Sequence, residues 1–372
     1  MHLPQMAEPV PAQTAQNKLL GLEAIRFVCA LGVLFWHYQH FAFVADQAVG
    51  FERDRQPLYG LFKPFYDYGY FGVTIFWCIS GFIFFWKYQQ AIASGAVGAR
   101  KFFVLRFSRL YPLHLATLLT VALLQALQHG LTGRYFVFQK NDVVHFVLQL
   151  FMASNWASTT SAGDSFNGPI WSISVEVLIY CIFFLVLRHV GRSAVINVAI
   201  ICACLVAKFA KVPSPIVDCL AFFYVGGLSA IALRHFQQTR FHGAVMLAAL
   251  CAIVGVPGAV WATGLYQNPH FTFLFLISYT PVTLYLCAQQ FQASAAVQSF
   301  VEAAGNMTYS SYLVHFPLQL ATVLLLEAAG VAVPYHELGF FFAFFGVTLL
   351  ASYGIYRFFE MPAQMLIRNR LR

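Results

Sequence analysis

Ten apolar runs, each close to the roughly twenty residues a helix needs to cross a bilayer, leave this chain little choice of architecture. They lie at about 19–41, 66–88, 104–127, 170–188, 193–209, 215–233, 243–261, 270–288, 309–329 and 338–360. In hydrocarbon every backbone N–H and C=O must be paired within the protein, so runs of this length are helices. A further run, 143–155, is short and ends in Ser154 and Asn155, and is expected to be re-entrant or interfacial. The predicted fold is all-α, a polytopic membrane protein with about ten transmembrane helices. Composition agrees. Apolar residues make up 60% of the 372 and charged residues 10%, where a soluble domain is nearer roughly 45–50% and 25%.

Ten crossings put both ends on one side. With the N-terminus inside, fourteen Lys and Arg fall on inner segments and seven on outer ones, Arg26 being within the first run. That excess predicts that both termini are cytoplasmic. The net charge of +8 is spread too thinly for a nucleic-acid site. Residues 1–17 are polar with a single charge, Glu8, and read as a disordered cytoplasmic tail; without a basic segment ahead of it, the first run is a retained helix and not a signal peptide. Residues 366–372 read as a basic cytoplasmic tail. All eight cysteines fall in apolar runs without metal-ligand spacing, so packing is their expected role and no metal is expected.

Five polar groups interrupt the apolar background. Arg26 and His37 are eleven residues apart in the first run. Eleven steps of about 100° return to nearly the same face, roughly 16 Å further along the axis. An Arg within a span costs about 2.5–3.5 kcal/mol on insertion scales and usually has a partner, although snorkelling to the inner surface is an alternative. Arg106 and Arg109, in KFFVLRFSRLYP, are one turn apart; they are either ordinary inner-surface charges or a fork onto phosphate oxygens. In FNGPIWSISVEVLIY, Asn167 and Pro169 resemble capping chemistry, and Ser172, Ser174 and Glu176 follow into the fourth span. Glu176 is expected to be paired or protonated, and its depth makes it a candidate to orient His37. His315, in YSSYLVHFPL near the inner end of the ninth span, either donates to a carbonyl freed by Pro317 or serves the site. Arg357 and Glu360, in YRFFEMP, are spaced for an i,i+3 ion pair. Ser80–Gly81 reads as a close helix contact, since no nucleophile-elbow context surrounds it.

Taken in order, these motifs resemble the membrane acyltransferase-3 family, the O-antigen and exopolysaccharide O-acetylase type. The residues that carry the resemblance are Arg26 and His37, the GVTIFWCISGFIFF run, RFSRLYP, WSISVE, YSSYLVHFP and YRFFEMP, over about residues 18–365. The resemblance implies a bacterial inner-membrane, multi-pass enzyme that uses cytoplasmic acyl-CoA, acetyl-CoA by default, to acylate a hydroxyl of an envelope carbohydrate or lipid-linked sugar. No permanently bound cofactor is implied. It makes Arg26, His37, Arg106, Arg109 and Glu360 the essential set, with Ser174 and His315 supporting. Thr74 stands where many members carry an acid, so no acid role carries over there. Some relatives have an appended extracellular hydrolase-like domain; none is expected here, and transfer is expected to finish within the membrane domain.

On these readings Arg106 and Arg109 bind the phosphates of acyl-CoA. Arg26 and His37 line one shared polar tunnel. His37 acts either as general base, oriented by Glu176, or as a transient acyl carrier. Acceptor selection is expected in the outer loops, at about 42–65 and 128–168. A proton-coupled carrier of a small polar solute is the rival class, since intramembrane Arg, His and Glu also mark transport paths. Against it, no paired broken-helix pattern divides the chain into halves.

Overall fold

The computed structural model describes residues 19–156, 165–212, 214–265 and 271–371; the tail read at 1–17 lies outside them. The chain forms helices α1 (Leu20–His37), α2 (Tyr59–Tyr68), α3 (Phe71–Ala93), α4 (Ala99–Thr132), α5 (Val143–Leu150), α6 (Ile170–Leu185) and α7 (Ala194–Phe209). It continues with α8 (Pro215–Phe236), α9 (His242–Thr263), α10 (Phe271–Cys287), α11 (Ala295–Asn306), α12 (Thr308–Ala328), α13 (Leu338–Ile355) and α14 (Met361–Leu371). Two-residue strands β1 (Phe43–Val44) and β2 (Gln47–Ala48) pair antiparallel just beyond α1. This is an all-α polytopic membrane protein.

Among the described residues, eight helical stretches are long and apolar enough to cross a membrane. The runs at 193–209 and 270–288 become α7 and α10, apolar helices of 16 and 17 residues, at the short end of what spans. The run at 143–155 folds as the eight-residue α5, too short to cross. Its Asp142 caps the helix by accepting from the His145 backbone N–H at 3.0 Å, which holds the carboxyl below the usual carboxylate range. The basic segment read as a tail from 366 is helical to Leu371: a π turn at Tyr356–Glu360 joins α13 to α14 without a break.

Close backbone contacts position the helices that carry the polar groups. A Cβ on Gly81 would strike the backbone of Phe223, and one on Gly226 the backbone of Cys78, so α3 and α8 cross antiparallel with only hydrogen between them. The close contact read at Ser80–Gly81 is this crossing. Gly72 meets the Cys29 carbonyl in the same way and seats α3 against α1. In α12, Pro317 leaves the Leu313 carbonyl without its helical donor. Asn167 supplies one instead, its Nδ2 donating to Leu313 at 3.2 Å. That is the work of Asn167; Pro169 begins α6 with no side-chain cap.

Candidate active site

α1 and α12 run side by side in parallel, and their facing residues build the site. At one end Arg26 donates to Glu23 at 2.8 Å and to Thr308 Oγ1 at 3.1 Å. At the other end His37 Nδ1 lies 2.9 Å from His315 Nε2, the rings nearly coplanar at 13°. Arg26 and His37 therefore face the same neighbour, as eleven helical steps require. His315 lies at the level of His37 along this pair of helices and not at the inner end of its span. The sequence reading missed this because depth within a span depends on where the partner helix sits.

The hydrogen bonds determine which nitrogens carry protons. His315 Nδ1 faces the Ser311 carbonyl at 3.0 Å, which only accepts. A neutral His315 therefore holds its proton on Nδ1 and presents a bare Nε2. His37 donates to that nitrogen from Nδ1, and its own Nε2 is left with a free lone pair. Gln319 donates to the His37 carbonyl at 2.8 Å, occupying an acceptor at the end of α1. His40, not singled out in the sequence, stacks on His37 with ring centres 4.7 Å apart.

Arg26 and His37 open into different chambers. The first is lined by Arg26, Arg106 and Arg109 with Glu176, Tyr180 and Ser80. Arg106 donates to Tyr88 Oη at 2.7 Å and stacks 4.7 Å over Phe84, and its buried Nε has no hydrogen-bond partner among the described residues. Arg109 makes no hydrogen bond or ion pair that would neutralise it among the described residues; only the longer-range fields of Glu176 and Glu360 reach it. Lys87 stands in the field of the three guanidiniums as well. With Arg26 ion-paired to Glu23, two guanidiniums, Arg106 and Arg109, still outnumber the one carboxylate lining this wall, Glu176. Such an excess in a low-dielectric setting calls for an anion.

Glu176 belongs to this first chamber. It accepts from Tyr180 Oη at 2.5 Å, and Tyr180 Oη lies 3.1 Å from Ser80 Oγ. The expectation that Glu176 orients His37 is thus corrected: His315 holds that place, because Glu176 faces the guanidiniums and the imidazole faces α12. Glu360 accepts from Ser310 Oγ at 2.6 Å, while Arg357 is exposed. The wide π turn between them rotates the two side chains apart, so the i,i+3 pair does not form. Ser174 is buried and anchors the segment before it, accepting from the Asn155 N–H at 3.2 Å and, through its carbonyl, from Trp156 Nε1 at 2.8 Å.

His37 lines the second chamber with Trp36, Tyr70 and Trp171 and with the ion pair of Lys208 and Asp218. Val73 and Trp77 line both chambers. Trp77 meets Trp171 edge to face at 5.7 Å. In place of the single tunnel expected from α1, Arg26 and His37 face two adjoining spaces that share Val73 and Trp77 in their linings, with α3 seated against α1 at Gly72 and Cys29 between the two polar ends.

Three comparisons with known proteins place the chain. Acyltransferase MdmB of Streptomyces mycarofaciens is 28% identical over 180 residues, which is 48% of this chain and 41% of that protein, so the match spans less than half of either. No solved structure matches the chain. A family model described as an acyltransferase domain matches residues 19–357, and the chain accordingly belongs to the membrane acyltransferase-3 family.

Proposed function

We propose that this membrane acyltransferase takes an acyl group, acetyl first among the candidates, from cytoplasmic acyl-CoA and delivers it to a hydroxyl of an envelope carbohydrate or lipid-linked sugar at a bacterial inner membrane. The observation that carries the reading is a pair of adjoining chambers, one holding an unneutralised Arg109 beside Arg26 and Arg106, the other a histidine with a bare Nε2. The excess of positive charge on inner segments orients the guanidinium chamber toward the cytoplasm. There Arg106 and Arg109 would grip the phosphates of acyl-CoA, with Lys87 and Arg26 adding to the field. The roughly 16 Å between Arg26 and His37 is the distance the pantetheine arm covers, passing Val73 and Trp77.

At the far end His37 Nε2 takes the proton of the acceptor hydroxyl as its oxygen attacks the thioester carbonyl. The C–O bond forms, the C–S bond breaks, and the departing thiolate takes that proton from His37. His315 accepts from His37 Nδ1 throughout, so the charge of the imidazolium is shared across the pair and not held by one buried ring. Glu176 in this reading tunes the donor chamber. A direct transfer of this kind leaves no label on the protein.

The test is incubation of the purified protein in lipid nanodiscs with radiolabelled acetyl-CoA and envelope glycans extracted from an unacetylated strain. Label should pass to glycan hydroxyls, and His37→Ala should lose it while inserting and accumulating normally. Transfer that persists in His37→Ala refutes the assignment of the base. An acetyl group found on the His37 peptide after acid quench would make this residue an acyl carrier.

A further inference from the structure

The Lys208–Asp218 ion pair is not used by the mechanism above, yet it opens into the same chamber as His37. Lys208 ends α7 and Asp218 lies in the first turn of α8. The ammonium is 2.8 Å from both carboxylate oxygens and 4.7 Å from the centre of the Phe273 ring. Both side chains keep about a third of their surface accessible, 35% and 28%. Ion pairs that merely clamp a helix hairpin at an interface face lipid headgroups or water. This one faces a chamber walled by indole and phenyl rings, with the proposed base on the opposite side.

We infer that Lys208 and Asp218 select the acceptor, and that the acceptor they admit is an uncharged, hydroxyl-bearing ring with an apolar face. The inference rests on the acyl-transfer reading only for the word acceptor. Three observations lead to it. Among the described residues the lining of the chamber carries no other Lys, Arg, Asp or Glu, so with His37 neutral their net charge is zero. Two of the three ammonium hydrogens go to Asp218, which leaves one donor and the remaining carboxylate lone pairs for neighbouring hydroxyls. Trp36, Tyr70 and Trp171 offer flat apolar faces to ring C–H groups. An anionic ring would find the only cation already neutralised and would pay desolvation with nothing to offset it. The contrast with the first chamber, where Arg106 and Arg109 outnumber Glu176 once Arg26 is paired with Glu23, is what sorts donor from acceptor: charge goes to one and neutral polyol to the other.

The experiment measures binding without acyl-CoA, by ligand-observed saturation-transfer NMR on the full chain in nanodiscs. The probes are methyl glucoside and methyl glucuronide, the same ring without and with a carboxylate. The wild type should bind the glucoside at least tenfold more tightly than the glucuronide. Asp218→Asn frees the ammonium and should reverse that preference. The charge swap Lys208→Asp with Asp218→Lys keeps the lining neutral and should restore the preference for the glucoside that Asp218→Asn loses. Equal binding of both probes by the wild type, an unchanged preference in Asp218→Asn, or a swap that still prefers the glucuronide would each overturn the inference. Acetyl-CoA-dependent transfer is measured separately: its absence alongside the expected binding pattern would refute the acyl-transfer reading and leave this one standing.

Discussion

Replacing His315 with alanine would strip His37 of the acceptor for its Nδ1 proton, now 2.9 Å away. On α12 the Ser311 carbonyl is bound to His315 itself, and Gln319 is held to the His37 backbone through Nε2, so its unpartnered Oε1 would have to leave that bond to reach the proton. The loss is largest when His37 carries the acceptor's proton, because a hydrogen bond from a charged group is worth about 1.5–3 kcal/mol. At about 1.4 kcal/mol per tenfold, kcat should fall by roughly 10- to 150-fold. The apparent KM for acetyl-CoA should not move, since the guanidiniums lie in the other chamber. Removing His37 itself forfeits the base and should cost more, about 10²- to 10⁴-fold. The assay is thiol release at saturating acetyl-CoA, read with a thiol-reactive dye. His315→Gln is the control for a merely structural role, because its Oε1 can accept the same proton and should recover part of the rate. A rate for His315→Ala within twofold of wild type would refute the pairing argument, as would a glutamine no better than the alanine.

Three further outcomes follow from the same geometry. Arg109→Ala should raise the KM for acetyl-CoA by roughly 10- to 150-fold, one charge-assisted contact in energy, with kcat little changed and Arg109→Lys in between; donor dependence identical to wild type would rule out the phosphate grip. Glu176→Gln keeps an oxygen for Tyr180 but removes the carboxylate charge from the guanidinium chamber, so the KM for acetyl-CoA should fall while kcat holds within a few-fold. A loss of rate as deep as that of His37→Ala would return Glu176 to the chemistry. Gly226→Val drives a side chain into the Cys78 backbone and should destabilise the α3–α8 crossing by at least about 1–3 kcal/mol, seen as a lowered melting temperature in detergent; an unchanged melting curve would mean that the helices can part there without cost.

Much of the scaffold could be read from the sequence because hydrocarbon makes length and apolarity decisive. The ten apolar runs all reappear as helices, and the short 143–155 run as one that does not cross. Helices α2, α11 and α14 lie outside the sequence reading, since they are short and carry no continuous apolar run. At the site, periodicity was enough to put Arg26 and His37 on one face of one helix. It gave no access to partners on other helices. His315 is 278 residues from His37, and nothing local in YSSYLVHFPL says which neighbour its Nε2 meets. For the same reason Glu176 was matched to His37 by depth alone, when rotation about the helix axis turned it toward the guanidiniums. Lys208 and Asp218 carried a usable signal, two opposite charges ten residues apart across a helix hairpin, but a charge count by side treats them as ordinary loop residues.

The two-residue partition formed by Val73 and Trp77 has a consequence for the cell as much as for the reaction. A protein that hands material across an energised bilayer must not let protons follow, and a file of water running past three arginines to a histidine pair would be a short circuit. One indole braced against another is enough to dry such a path, as narrow apolar constrictions do in closed channels. Under the proposed acyl transfer, what must pass Val73 and Trp77 is an acyl chain on a thin tether, more apolar and more slender than any hydrated ion.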